Sequence, residues 1–167
     1  LSEFISEIAP NTSVLIHHDR DMMTDQEVQW VVDSIEKTGA SAFITECSDI
    51  ESYFIRPRHI AYLLGIDAGE VEEWLSGLAR DYHNELQHKY IRKRDEAKLL
   101  YRNRDIDSPD TVAILGHDVP LSPDKRLGKF MFRKVRGAIQ DRFGAQPNLN
   151  RVTEELRCDV LAVLAGE

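Results

Sequence analysis

The 167-residue chain is 42% apolar and 30% charged, with nine Gly and six Pro, a composition that fits one helix-rich globular domain and excludes collagen, a coiled-coil rod and a disordered tail. Its net charge of -8 is unevenly spread: Leu1 to His88 hold five basic and 17 acidic residues, whereas Lys89 to Arg142 hold 14 basic and eight acidic. No apolar run approaches the ~20 residues of a membrane span and no secretory leader opens the chain, so a cytoplasmic protein with no membrane partner is expected.

The two cysteines, Cys47 and Cys158, are too few for a disulfide framework and lack metal-ligand spacing, which reads as a pair of buried thiols in a reducing compartment. A chain that begins at Leu1 rather than Met reads as a piece of a longer protein. Leu1 to Ala9 forms an amphipathic helix, with Leu1, Phe4, Ile5 and Ile8 on one face, ended by Pro10. Thr12 to His18 is a strand whose continuous apolar run, Val14-Leu15-Ile16, predicts burial on both faces. Thr24 with Glu27 three residues on is a capping box, opening a helix with Val28, Val31, Val32 and Ile35 inward and Gly39 as its stop. Ser41 to Thr45 is a second buried strand, and strand, helix and strand together make a parallel βαβ unit.

Beyond Pro57 the chain reads as helical: Pro57 to Leu64, then a segment from Ala68 that runs to Asn103 with a break near Asp81 or Tyr90. Arg104 to Pro123 has the Asp and Pro content of a loop, in which Thr111 to Leu115 can pair as a short strand. Arg126 to Phe143 is a basic amphipathic helix stopped by Gly144, and Leu149 to Leu164 is the final helix. The expected organisation is one domain: an α/β core over residues 1–60, a helical insertion over 61–105 and a basic helical part over 106–167.

An open parallel sheet presents its functional groups at the carboxyl ends of its strands. Asp19 and Asp21 leave the first strand there, and Glu46, Asp49 and Glu51 leave the second. Two aspartates one residue apart on a strand exit can direct both carboxylates at one hard divalent cation, which takes one or two carboxylates and fills its shell with water and substrate phosphate. A solvated turn capping the Thr24 helix accounts for the same pair. Asp49 reads best as an N-cap, Glu46 equally as a strand-end carboxylate or a ligand, and His17 and His18 as packed or supporting histidines, since their neighbours are hard carboxylates. The basic middle offers a phosphate-attracting track through Arg126, Lys129, Arg133 and Lys134. Lys89, Arg92, Lys93, Arg94 and Lys98 could extend it, with Tyr90 and Tyr101 more naturally packed between helices. No Gly-rich phosphate loop occurs, so ATP binding is not expected in this piece.

His18-Asp19-Arg20-Asp21 after an apolar strand, Ser48-Asp49-Ile50-Glu51-Ser52-Tyr53-Phe54-Ile55-Arg56-Pro57, and Gly128-Lys129 opening a helix together resemble the Toprim nuclease region of the overcoming-lysogenization-defect (OLD) family. The resemblance spans Thr12 to Gly144, with little specific pattern between Ala61 and Asp124. It implies a Toprim-like, Rossmann-like parallel sheet with a helical insertion and C-terminal helices, joined in the parent chain to an upstream ABC-type ATPase. The implied activity is DNA cleavage, often in defence against phage, by two-metal phosphodiester hydrolysis. Asp19, Asp21 and Glu51, with Glu46 as a further candidate ligand, would hold Mg²⁺ or Mn²⁺, and Lys129 would face the phosphate as the family's downstream lysine. A homodimer or higher oligomer is a further expectation from the family.

The chain departs from the family in one respect. A complete Toprim fold begins with a glutamate-bearing strand, and nothing before Thr12 supplies one, so this reads as a fragment lacking the first Toprim strand. A non-catalytic Toprim-like assembly module is therefore the main rival. A haloacid-dehalogenase-type phosphotransferase would want Asp-x-Asp-x-Thr, whereas Thr24 stands three residues after Asp21. An Asp-x-Asp glycosyltransferase would need a nucleotide-sugar pocket that the sequence does not show.

Overall fold

The computed structural model describes residues 5, 7, 9, 12–101, 108–158 and 161. Ile5 and Glu7 are helical; the rest of the expected N-terminal helix lies largely outside the described residues. Strand β1 (Leu15–His18) pairs in parallel with β2 (Ser41–Ile44), Leu15 opposite Ser41 and His18 opposite Ile44. Helix α1 (Asp25–Glu36) makes the crossover between them, so the α/β reading holds with a sheet of two parallel strands among the described residues. Helix α1 and the Ile44 side of β2 share an apolar cluster with Val28, Val31 and Ile35, while Leu156, Cys158 and Leu161 pack with Phe43 and Tyr53.

The expected burial of β1 on both faces is not found. Leu15 is 47% exposed, and His17 and His18 are exposed as well. Among the described residues none of Val14, Leu15 and Ile16 joins an apolar cluster, and an apolar run is buried on both faces only where other elements pack above and below it.

Helix α1 begins as the sequence indicates. Thr24 Oγ1 accepts from Glu27 N at 3.3 Å and Glu27 Oε2 accepts from Thr24 N at 2.8 Å, the reciprocal capping box. Beyond β2, Asp49 caps a 3₁₀ helix over Ile50–Ile55. Pro57 then opens α2 (Pro57–Leu64), which Gly65 closes in the left-handed region at φ 69°. Helices α3 (Ala68–Asp81) and α4 (His83–Tyr101) divide the expected long segment at Tyr82. The Thr111–Leu115 stretch is not a strand but a short helix, α5, because Asp110 caps it and Thr111 Oγ1 donates to Asp95 of α4 at 2.8 Å. Helix α6 runs Gly128–Phe143, starting two residues later than expected because Pro123–Lys125 forms a 3₁₀ turn first.

The expected final helix does not begin at Leu149. A 3₁₀ turn at Glu154–Leu156 is the helical part of 149–158. His59, fully buried on α2, holds this segment instead: Nε2 donates to the Leu149 carbonyl and Nδ1 accepts from the Thr153 hydroxyl, both at 2.8 Å. The carbonyl can only accept, which fixes the ring as the Nε2–H tautomer. The remainder of 149–164, apart from a helical Leu161, lies outside the described residues.

The main core lies among the helices, where Ile60, Val71, Leu86, Leu121, Met131, Val135 and Ile139 are sealed from solvent. Two polar devices tie the βαβ unit to it. In the first, the Glu27 carboxylate of the capping box is fully buried with Arg94 of α4, receiving Nη1 at 2.6 Å, Nη2 at 3.0 Å and the Ser108 hydroxyl at 2.8 Å. In the second, Ser48 and Asp49 receive the start of α6: Gly128 N donates to Ser48 Oγ at 2.8 Å and Lys129 N to Asp49 Oδ2 at 3.0 Å. The approach is so close that a Cβ on Gly128 would stand 2.0 Å from Asp49 Oδ1 and 2.5 Å from the Ser52 backbone nitrogen.

Gly128→Ala should therefore lose about 3 kcal/mol or more in urea unfolding, the upper range for overpacking. Gly137→Ala, whose added Cβ meets nothing within 4 Å on the same helix, should gain about 0.5–1 kcal/mol. Arg94→Met, which strands a buried carboxylate, should cost about 3–5 kcal/mol. Burial pushes the Glu27 carboxyl up, but the hydrogen bonds from Arg94, Thr24 and Ser108, with the Arg94 charge, hold it below its ordinary 4.5. Its contribution is fully present above pH 4.5 and is lost as the pH falls through the lower folded value. Stability measured against pH should show this acid limb in the wild type and a flattened one in Arg94→Met.

Candidate functional site

At the carboxyl ends of β1 and β2 two loops are stitched together. Arg20 N donates to the buried Thr45 Oγ1 at 2.9 Å, Asp21 N to the Ser48 carbonyl at 2.8 Å, and Ile50 N to Asp19 Oδ1 at 3.2 Å. The first loop turns sharply: Asp21 and Met22 sit in the left-handed region at φ 45° and 65°, a conformation that costs a non-glycine residue of order 1–3 kcal/mol and concentrates at functional sites. The stitching to Thr45 and Ser48 holds that strain in place.

The turn carries Asp19 and Asp21, and the charges of Asp21 and Asp49 are both felt at the Asp19 carboxyl. Burial pushes the Asp19 carboxyl up from its ordinary value; His17, whose Nε2 lies 3.3 Å from Oδ1, opposes the shift, and the charges of Asp49 and Asp21 add to it. Asp49 is the N-cap it was expected to be. Its Oδ1 accepts from Ser52 N and Oγ, and its Oδ2 from Lys129 N and the Ser48 hydroxyl, so both oxygens are committed to helix starts.

The other candidates stand in separate ion pairs. Glu51 is 3.7 Å from the Lys129 ammonium, itself 75% exposed, and Glu46 pairs with Arg56, whose guanidinium lies 4.2 Å from the centre of the Tyr53 ring. Asp21 has a partner that the sequence did not indicate, Lys93 of α4, with Nζ 3.1 Å from Oδ1. Among the described residues no three His, Cys, Asp or Glu side chains are gathered closely enough to hold a metal ion. Asp19 and Asp21 are the carboxylates that the turn carries, Asp21 already beside Lys93, and they do not form a ready-made cage of three or four ligands.

The basic residues divide into two groups. On α6, Lys129 and Arg133 face solvent, whereas Lys134 lies over Tyr82 at 3.8 Å and Phe130 at 5.1 Å. Arg126 is half-buried, its Nε donating to the Leu121 carbonyl, and burial pushes its pKa down. The expected extension of the track along α4 is corrected: Arg94 is wholly inside with Glu27, Lys93 pairs with Asp21, Arg92 with Glu96 and Lys98 with Asp110. Lys93 and Arg94 thus neutralise carboxylates of the acidic N-terminal half, whereas Arg92 and Lys98 pair with acids of the basic middle itself. Tyr90 and Tyr101 are buried, as their packed reading requires. Cys158 is buried and Cys47 half-buried, its thiol pushed up by burial.

Sequence reasoning missed Lys93 as a partner of the carboxylate turn, and Ser48 and Gly128 as the joint between β2 and α6. The N-cap reading of Asp49 and the Gly128-Lys129 helix start were the local signals on either side of that joint. That the two meet across 80 residues has no local signature. Comparisons with protein-family models, with curated proteins and with solved structures found no match.

Neutralising one member of the acidic group should relieve repulsion, and the geometry selects Asp19 for this, because Asp21 already has Lys93. A raised carboxyl favours the fold when protonated, and that advantage is lost as the pH rises through its folded value. Asp19→Asn should therefore melt slightly higher than wild type at pH 7 without divalent cations, by no more than about 0.5 kcal/mol. The gap should close below about pH 3.8, the ordinary carboxyl value, and thermal melts across that range provide the check.

Proposed function

We propose that the chain is part of a Toprim-like, Mg²⁺- or Mn²⁺-dependent DNA endonuclease of the OLD type, acting in the cytoplasm beside an upstream ATPase and as a homodimer or larger assembly. The observation that carries this reading is the strained turn that bears Asp19 and Asp21 at the carboxyl ends of two parallel strands, where the charge of Asp21 adds to the upward push on the Asp19 carboxyl. Glu51 and Lys129, presented together at the start of α6, supply a further acid and a mobile cation. A glutamate from an upstream strand would complete the acidic set. Among the described residues no helix is long and apolar enough to cross a membrane.

In this reading the chain's own groups have distinct tasks. Asp19 and Asp21 hold the cation, which when bound lowers the pKa of a water molecule and shields phosphate charge. Asp49 does not bind it, since its oxygens are used at the two helix starts. The Lys129 ammonium, exposed and only 3.7 Å from Glu51, can swing to a phosphate oxygen and offset the charge that builds there. Exposed Arg133 extends the contact to the DNA backbone in a sequence-neutral and salt-sensitive way. Lys134 and Arg126, held by aromatic rings and by a carbonyl, contribute less to it.

A second reading, a non-catalytic assembly module, is favoured by one observation: Asp21, Glu46 and Glu51 each stand beside a protein cation, Lys93, Arg56 and Lys129. Nicking of supercoiled plasmid by the full-length protein with Mg²⁺ or Mn²⁺ separates the two. Asp21→Asn keeps a residue type that tolerates left-handed backbone and should lower cleavage about 100-fold or more, and Lys129→Ala about 100-fold, with melting curves matched to wild type. Well-folded protein that never nicks DNA would favour the assembly module instead, and nicking undiminished by both substitutions would remove Asp21 and Lys129 from the reaction.

A further inference from the structure

Further along α6 from Lys129, and not used by any step above, a cleft of about 260 Å³ lies between the helix and the chain over 146–150. Arg136, Gln146, Asn148 and Asn150 are the polar residues that line it, and among the described residues no acid does. Arg136 is exposed, its guanidinium carbon 5.8 Å from the centre of the Phe132 ring, and no carboxylate is paired with it among the described residues. Arg133, one turn back, is likewise exposed and without a carboxylate partner among those residues. Other cations of the helix differ: Lys129 stands 3.7 Å from Glu51 and Arg142 3.2 Å from Glu70. In a chain with a net charge of -8, two arginines left without acid on one helix mark a surface suited to a polyanion.

The chain over 146–150 adds amides to this wall. Asn148 Oδ1 accepts from Asn150 N at 3.1 Å, which leaves the Asn148 NH₂ group to donate elsewhere. The Gln146 and Asn150 side chains, both exposed, bond to no other described residue. The loop itself is anchored, because Leu149 is buried and its carbonyl accepts from the buried His59 at 2.8 Å. Donors carried on a held loop are in place before anything binds, which lowers the cost of ordering them. Phe132, Ile139, Pro147 and Leu149 complete the lining with apolar surface. A guanidinium and three amides beside apolar carbon fit a ligand that is anionic, accepts hydrogen bonds without donating and carries a sugar ring: one deoxyribose-phosphate unit.

We propose that this cleft grips the backbone of a DNA strand, as the far end of a contact that begins at Lys129. Lys129, Arg133 and Arg136 follow one another at spacings of four and three residues and so share a face of α6. The seven residues from first to last span about 10 Å, the axial rise of about three phosphates on one strand of B-form DNA. A strand that meets Lys129 is thus held again about three phosphates away. The choice of DNA as the polyanion rests on the nuclease reading; the charge and donor pattern of the cleft does not.

Fluorescence anisotropy of a labelled DNA duplex bound by the full-length protein, with EDTA present to prevent cleavage, tests the inference. At about 0.1 M salt Arg136→Gln should weaken binding about fivefold and lower the slope of log affinity against log salt by about 0.9, the share of one phosphate contact. Gln146→Glu, which puts a negative charge into the cleft at an exposed position, should weaken it at least as much. Arg142→Gln removes the same unit of charge from the same helix outside the cleft and should leave affinity within twofold. The variants should melt with the wild type, and the losses should be equal on duplexes of unrelated sequence, because phosphates carry no sequence information. Binding with this pattern supports the cleft even if plasmid is never nicked. No saturable binding, undiminished binding by Arg136→Gln and Gln146→Glu, or an equal loss in Arg142→Gln overturns it, even if plasmid is cleaved.

Discussion

Asp49 begins two helices with one carboxylate. Its Oδ1 accepts from the 3₁₀ helix that carries Glu51, and its Oδ2 from the start of α6, which carries Lys129. A carboxylate at a helix N-terminus offsets the partial positive charge of the free N–H groups, and here a single buried side chain does so for two elements separated by some 80 positions in sequence. The arrangement requires the backbones to approach within a distance that no side chain at 128 permits. The relative placement of β2, Glu51 and Lys129 follows from this joint, and through the Asp21 N–H to Ser48 carbonyl bond so does that of the carboxylate turn.

The uneven charge of the chain acquires a structural meaning. The acidic first half and the basic middle fold against each other, and the bonds between them are ion pairs of very different burial: Glu27 with Arg94 sealed inside, Asp21 with Lys93 half-exposed, Glu51 with Lys129 at the surface. Buried pairs are weak net stabilisers but strongly penalise any arrangement that separates them. Exposed pairs contribute little and exchange readily with other ions. The gradient from sealed to open thus runs from groups that fix the architecture to groups free to engage a ligand.

What could be read in advance was local. The Thr24–Glu27 capping box, the Pro57 start, the Gly144 stop and a break next to Asp81 each depend on residues within one or two turns, and each was found. The capping role of Asp49 was legible for the same reason. The misreadings were of residues whose state depends on distant neighbours. Val14 to Ile16 look like a strand buried on both faces, but such burial needs elements packed above and below the sheet, and these residues join no apolar cluster. Thr111 to Leu115 have the side chains of a strand, yet an aspartate cap and a contact to Asp95 wind them into a helical turn. Lys93 and Arg94 look like neighbours on a phosphate track, but one step along α4 rotates them apart, the first toward Asp21 and the second into the core.

The outer side of β1 carries a further consequence. Among the described residues no strand pairs with that edge, and an unpaired edge is a template on which another extended chain can add, above all where it is long, flat and apolar. Here that edge is four residues long, ends in His17-His18 and is followed at once by Asp19, so a second copy laid in parallel alongside it would bring like carboxylates together after only a few hydrogen bonds. The feature that places acid beside the turn thereby also discourages these molecules from sticking to one another through their sheets.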